Sequence, residues 1–215
     1  MRKILFLLLI PLMLLVSCSK IKEVGLPNKK IKVDNGKVYY KNELFTGKVK
    51  VGRKGQYNGF ASFTDGELSG ETDIKGKAMN IKFTVENGKL QDEFLLKNEE
   101  DNINMILNYE NGKIVKIVGS FSRDENYDLT FTDGLADGWF ENGEDRFEFQ
   151  DGITSYINEG VRLDIKYYIN QETGDMGMEF FVAGESVAKN EIKNTMFSMD
   201  YVKLMILSII SESNF

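Results

Sequence analysis

The chain has no histidine. That removes the commonest general base and a common metal ligand in one step. It has a single cysteine, Cys18, so no disulfide can close within one molecule. No G-x-G-x-x-G, no Walker loop and no G-x-S-x-G occurs anywhere. Positive charge is also in short supply. The 215 residues carry 27 basic and 33 acidic side chains, and an acidic chain repels phosphates, so a nucleic-acid partner is not expected. No metal and no cofactor is expected either. Carboxylates, Lys, Tyr and Ser remain for catalysis, but no carboxylate pair stands out from the acidic background, and a non-enzymatic role is the reading.

What is present begins at the N-terminus. Arg2 and Lys3 precede an apolar run from Ile4 to Val16, followed by Ser17 and Cys18. Charge, short apolar core and small residue describe a secretory signal peptide over residues 1–17. The run is interrupted by Pro11 and is shorter than the ~18–20 residues that span a bilayer. The ending Leu15-Val16-Ser17-Cys18 resembles the lipobox of bacterial lipoproteins. That resemblance implies that Cys18 becomes the lipidated first residue of an exported chain in the cell envelope. Ser19 after it resembles an outer-membrane sorting signal, should the cell have two membranes. With Cys18 used as an anchor, thiol proteases and Cys- or His-bound zinc sites are excluded.

Charge is uneven along the chain. Without Arg2 and Lys3, 25 basic residues stand against 33 acidic ones. Lys20, Lys22, Lys29, Lys30 and Lys32 crowd the segment Ser19–Val33 against Glu23 alone. Lysines beside an anionic membrane contribute on the order of 1 kcal/mol each. An orienting segment and a plain soluble spacer both fit. Residues 18–30, with Gly25, Pro27 and Asn28 and no strand alternation, read as a lipidated cysteine and flexible tether.

The body repeats one tetrapeptide: apolar, polar, Asp or Asn, Gly. It occurs as Val33–Gly36, Phe63–Gly66, Val85–Gly88, Tyr109–Gly112, Phe131–Gly134, Phe140–Gly143 and Phe149–Gly152. Asn-Gly and Asp-Gly favour two-residue type I′ turns, in which both central residues take positive φ. Such turns in the first four copies pair Asp34 with Lys37, Glu86 with Lys89 and Glu110 with Lys113, each of opposite charge, and Thr64 with Glu67, a neutral residue with an acid. The pairs Val33–Val38, Phe63–Leu68, Val85–Leu90 and Tyr109–Ile114 then fall on the other, apolar face. In the last three copies the rule fails, since Glu141 would face Glu144, so longer or different loops are expected there. The glycine spacing of 22, 24 and 22 residues suits one hairpin per repeat. Tyr39–Val49, Phe63–Glu71, Val85–Leu90 and Tyr109–Ile114 resemble the variant MORN repeats of the bacterial YwqK-like family. The resemblance covers about residues 35–118. Because such proteins are commonly called antitoxins, the resemblance implies a rival reading, an immunity-type lipoprotein against an exported toxin.

Alternation is also clean at Met79–Val85, Ile103–Tyr109, Val161–Ile169 and Met176–Val182, the last two forming a final hairpin. From Ser186 on, Ile192, Met196, Met199, Val202, Ile206 and Ile209 recur at helical spacing, and Ser198 with Asp200 is a candidate cap. The expected architecture is mainly β: an antiparallel meander over residues 31–185, as an open curved sheet or a flattened barrel. A C-terminal helix over 186–215 covers it. A membrane-contacting role for that helix is the alternative. A closed barrel would also permit a carrier of an apolar ligand.

Three local candidates remain. Asp124–Asp128 (DENYD) resembles the start of a calcium loop but has Leu129 where Gly is wanted and Leu135 where Glu is wanted. Glu99, Glu100 and Asp101 read as a solvated loop tip. Trp139 and Phe140, adjacent aromatics by a turn, are the candidate partner-binding pair. The functional expectation is a membrane-anchored, non-enzymatic binding or structural module for a protein partner.

Overall fold

The computed structural model describes residues 22–53, 56–77, 79–158, 160–170, 175–192 and 198–214. The segment read as a signal peptide, residues 1–17, and Cys18, read as the lipidated residue, lie outside them. Four short strands come first: β1 (Glu23–Gly25), β2 (Ile31–Asp34), β3 (Lys37–Tyr40) and β4 (Glu43–Leu44). A meander follows: β5 (Gly47–Arg53), β6 (Tyr57–Thr64), β7 (Glu67–Gly76), β8 (Met79–Glu86) and β9 (Lys89–Asn98). It continues as β10 (Ile103–Glu110), β11 (Lys113–Ser120), β12 (Glu125–Thr132), β13 (Leu135–Asn142) and β14 (Asp145–Phe149). The last strands are β15 (Ile153–Asn158), β16 (Val161–Ile169), β17 (Met176–Val182) and β18 (Glu185–Ile192), before helix α1 (Met199–Ser213).

Strands β5 to β13 pair in chain order, followed by β16, β17 and β18, with β1 added in parallel outside β5. The protein is thus mainly β, an antiparallel meander of hairpins in an open sheet. Among the described residues no ladder joins β1 to β18, so the sheet is not a closed barrel. Strands β2, β3 and β4 form a separate small sheet.

The Asx-Gly turns set this register. Asn35-Gly36, Asp65-Gly66, Asn87-Gly88, Asn111-Gly112, Asp133-Gly134 and Asp151-Gly152 all have positive φ at both positions, as type I′ turns demand. The four charged or polar pairs and the four apolar pairs expected beside the first four turns are present in the ladders. Two of the last three loops differ from expectation. Phe131–Gly134 makes an ordinary two-residue turn, with Thr132 opposite Leu135. In Phe140–Gly143 the loop slips by one residue onto Gly143-Glu144. Asn142 then faces Asp145, and Glu141 meets Arg146 at 2.8 Å rather than Glu144. The slip exchanges a like-charge pair for an opposite one, which is reason enough for it. At Phe149–Gly152 the turn is again type I′, but the strands it joins part after one bridge, Gln150 to Ile153.

One face of the sheet is buried from β5 to β12. Val49, Ile74, Ile81, Phe83, Phe94, Leu107, Ile117 and Leu129 are each 0–2% exposed and belong to one core with residues of α1. Strands glycines help to bend the sheet. Gly119 and Gly138 sit inside β11 and β13 at φ +119° and +120°. A Cβ on Gly119 would lie 3.0 Å from the Asn104 carbonyl carbon, and closer to its oxygen. Gly138 is held the same way against Asp128. Glycine at such kinks permits sharper bending than a pleated strand with side chains allows.

Helix α1 closes this face. Ser198 caps it, its hydroxyl accepting from the Tyr201 amide at 3.3 Å. Val202, Ile206, Leu207, Ile209 and Ile210 are buried. The helix packs on β5 and β2, at the opposite end of the sheet from β18. Only residues 193–197 separate β18 from Ser198, about 20 Å of reach, whereas nine strand spacings between β7 and β18 amount to about 43 Å when flat. Yet Lys203, in the first turns of α1, pairs with Glu67 of β7. The sheet therefore curls back toward its own beginning. Asn214 completes the closure: its Oδ1 accepts from the Asn28 amide at 2.8 Å and its Nδ2 donates to the Ile31 carbonyl at 3.0 Å.

Two boundaries move. The segment read as helix from Ser186 begins as strand β18, and the helix starts only at Met199. Exposed Ser186–Asn190 extends the β17 ladder, which satisfies the outer hydrogen bonds of β17. Of the helical-spacing residues, Ile192 thus belongs to a strand and Met196 lies outside the described residues. The tether is also shorter than 18–30. Glu23–Gly25 pair with Lys48–Lys50, Val24 is 6% exposed, and Leu26 donates its amide to the Lys50 carbonyl. The three-residue edge strand is too short for alternation to reveal it.

Candidate functional site

The sheet changes character after β13. Its upper half, Gly138–Asn142, pairs with β14, while its lower end meets β16 through Leu135 and Tyr168. Strand β15 pairs with β16 instead of with β14. The result is a fork, with β13–β14 on one prong and β15–β16 on the other.

Aromatic side chains carry the contact where the backbone ladder stops. Tyr127, Phe140, Phe147 and Tyr156 form a row across β12, β13, β14 and β15. Their centroid separations are 4.8, 6.0 and 6.4 Å in turn. The first three rings are stacked, at 24° and 17°, so their faces cover one another and their edges face outward. Below them Phe149 and Phe131 flank Tyr167 at 5.6 and 6.1 Å. Burial pushes the Tyr127 hydroxyl up to about 12, with the Glu125 carboxylate adding to the shift. Burial also raises Tyr167 well above the usual phenol range.

Trp139 and Phe140, adjacent in sequence, lie on opposite faces of β13, as period-two alternation requires. Phe140 belongs to the aromatic row on the core face. Trp139 lies on the outer face under Arg146, whose guanidinium is 4.4 Å from the ring. Arg146 in turn bonds Glu141 and Glu148. The two do not form one patch.

Exposed large apolar side chains gather on this C-terminal part. Ile157 is 70% exposed, Val187 59%, Val161 53%, Ile153 49% and Tyr156 44%. By the β15–β16 register, Tyr156 and Val161 continue the core face while Ile153 and Ile157 lie on the outer face. Among the described residues this end of the hairpin therefore carries large apolar side chains on both faces, with Ile157 opposite Arg162 on the outer one. Beside it stand the β13–β14 tip, with Glu144 and Asp145, and the β17–β18 tip, with Glu185, all exposed. None of these three carboxylates has an ion-pair partner among the described residues. The nearby guanidiniums are engaged: Arg146 as above, and Arg162 with Asp164 at 2.8 Å and with Ser155. The Ser155 hydroxyl, at 2.6 Å, and Arg162 hold the Asp164 carboxyl below its ordinary range.

The other candidates settle into plain structure. Glu99–Asp101 is the loop between β9 and β10, with Asn98 accepting from the Glu100 and Asp101 amides at 3.0 and 3.2 Å. In Asp124–Asp128, all but Asp124 lie within β12, so the loop geometry a calcium site needs is not formed there. Among the described residues no group of three or more metal-binding side chains comes together, and no helix is long and apolar enough to cross a membrane. Shallow grooves mark the surface, one of them along β5 to β7, lined by Lys22, Thr46, Lys48, Phe63, Ser62 and Glu71.

The sequence reading missed Tyr127, Phe147, Tyr156, Ile157 and Val161. A signal existed: in ITSYIN, Ile153 to Asn158, apolar residues fall on both faces of one strand, which an ordinary half-buried strand avoids. The chain matches no protein-family model, no curated protein and no solved structure with which it was compared.

Proposed function

We propose that this chain is an exported, lipid-anchored and non-enzymatic binding module for a protein partner. The observation that carries the reading is the contrast in burial along the sheet. Where the chain enters, β1, the small sheet and α1 cover the apolar face, leaving Val38, Val49 and Ile206 at 0% exposure. At the far end Ile157, Val161, Tyr156 and Val187 stand in solvent. A core face sealed at one end and open at the other leaves apolar surface suited to contact. The anchor rests on Cys18 behind its apolar run, and on the five lysines that follow it. Stable anchoring takes more than one acyl chain or a chain with basic contacts, which both features supply together.

Two measurements test this. Cys18→Ala releases the protein from membranes after a carbonate wash; retention of the variant would refute the anchor. Amine-reactive crosslinking on intact cells yields a discrete adduct with a second, different protein. Recovery of monomer alone would refute the binding role.

A further inference from the structure

Resting on that binding role, we infer that the β15–β16 hairpin tip and the carboxylates flanking it form the docking surface, and that the partner is a cationic protein. Three facts converge. The tip offers Tyr156 and Val161 on the core face and Ile157 on the outer face, between 44% and 70% exposed, so a partner that takes in the tip meets apolar side chains on both of its faces, and Tyr156 is held by the aromatic row. Apolar anchors at the centre of a patch with polar groups around it are the usual plan of a protein interface.

The rim of this patch is negative. Glu144 and Asp145 stand on one side and Glu185 on the other, with Asp124 and Glu125 beyond, where the Gly143 amide bonds the Asp124 carbonyl at 2.9 Å. Arg146 and Arg162 are tied to carboxylates of their own. Arg123 is the remaining cation on these tips among the described residues. Unpaired carboxylates around apolar anchors steer positive surfaces in and keep negative ones out.

Charge also rejects the other occupants. A second copy would bring the same acidic rim against this one, in a chain of net negative charge. Strand-to-strand pairing through β18 is discouraged by Lys189 on that edge and by the irregular register between Phe180 and Phe181. Anionic headgroups and nucleic acids are repelled for the same electrostatic reason.

The test uses the full chain in intact cells, with a photoreactive amino acid replacing Ile157, or, as controls, Leu44 or Leu204, which are 45% and 66% exposed elsewhere. The expected result is one adduct from position 157, absent from both controls. Mass spectrometry then identifies a captured protein with an isoelectric point above about 8. Glu144→Lys with Asp145→Lys lowers the adduct yield about tenfold, whereas Glu99→Lys with Glu100→Lys, on another loop, leaves it unchanged. All four acidic positions are exposed, and circular dichroism of each purified variant checks that it folds. An adduct of twice the chain's own mass, a captured acidic protein, a lipid adduct, or a yield untouched by charge reversal at 144 and 145 overturns the inference. Adducts only at 44 or 204 overturn it while leaving the binding role standing. No adduct at any of the three positions removes both.

Discussion

Replacing Gly119 by alanine is a sharp test of how the sheet bends. The residue sits mid-strand at φ +119°, and the new Cβ would press on the Asn104 carbonyl of the neighbouring strand. Holding a non-glycine residue in so sparsely populated a region costs about 1–3 kcal/mol. The Asn104 carbonyl cannot simply move, because β10 is paired on both sides. Displacing it weakens about two ladder hydrogen bonds, at about 1 kcal/mol each. The sum is about 3–5 kcal/mol. Gly138→Ala, pressed on Asp128, belongs to the same class. Gly88→Ala is the matched control: φ is also positive, +73°, but a Cβ there meets nothing within 4 Å. Its cost is backbone strain alone, about 1 kcal/mol. Urea unfolding followed by the fluorescence of Trp139, the single tryptophan, measures all three. Gly119→Ala within about 1 kcal/mol of Gly88→Ala would refute the claim that close strand approach, rather than turn geometry, fixes these glycines.

Three further outcomes are expected. Ile206→Ala, at a fully buried position of α1, destabilises by about 2–5 kcal/mol, while exposed Leu204→Ala stays within about 0.5 kcal/mol; equal effects in denaturation would argue that α1 does not pack on the sheet. Phe147→Ala, half-buried in the middle of the aromatic row, costs about 2 kcal/mol, and hydrogen exchange rises in β14 and β15 but not in β6 to β10; uniform exchange would deny the row its role at the fork. In alkali, the unfolded chain ionises its tyrosines near pH 10 while folded Tyr127 holds its proton to about 12. The unfolded state then binds fewer protons, so stability falls as pH rises from 10 through 12. Tyr127→Phe makes that part of the pH profile less steep, with buried Tyr109 and Tyr167 supplying the slope that remains; an unaltered profile would show that Tyr127 is not buried as described.

The repeated turns were legible because their chemistry is local. Asn87-Gly88 and Asn111-Gly112 need positive φ whatever surrounds them, and the charge of Glu86 and Lys89 across the turn fixes the register from sequence alone. Phe140–Gly143 was only half legible. The motif is the same, but the energy that shifts its loop by one residue comes from Arg146, beyond the window of the motif. Strand β18 was misread because Ser186–Asn190 has little apolar content of its own and owes its conformation to the unpaired edge of β17. Strand β1 is invisible for a similar reason: three residues gain their structure from Lys48 and Lys50. Val202, Ile206 and Ile209, by contrast, announced a buried helical face, though not that it would pack at the opposite end of the sheet. Trp139 and Phe140 drew attention as a pair, yet alternation alone was enough to separate them.

The fork bears on where the proposed docking surface lies. Through β13 each local choice agrees with the fold: turn residues, cross-strand charges and apolar alternation all point to one register. At Phe149–Gly152 the turn chemistry still asks for a hairpin, but the strands refuse it, and side chains such as Phe147 and Tyr156 hold what the backbone does not. The agreement between levels fails there, and it fails beside Ile157, the most exposed large apolar residue of the sheet among the described residues. Stability alone would favour a polar residue at that tip and a pairing lysine near Glu144 and Asp145. Retaining an oily tip inside an uncompensated acidic rim opposes solubility on one count and charge balance on the other. A partner with positive charge around an apolar recess would offset both departures at once, which is why the two features are proposed together as one surface.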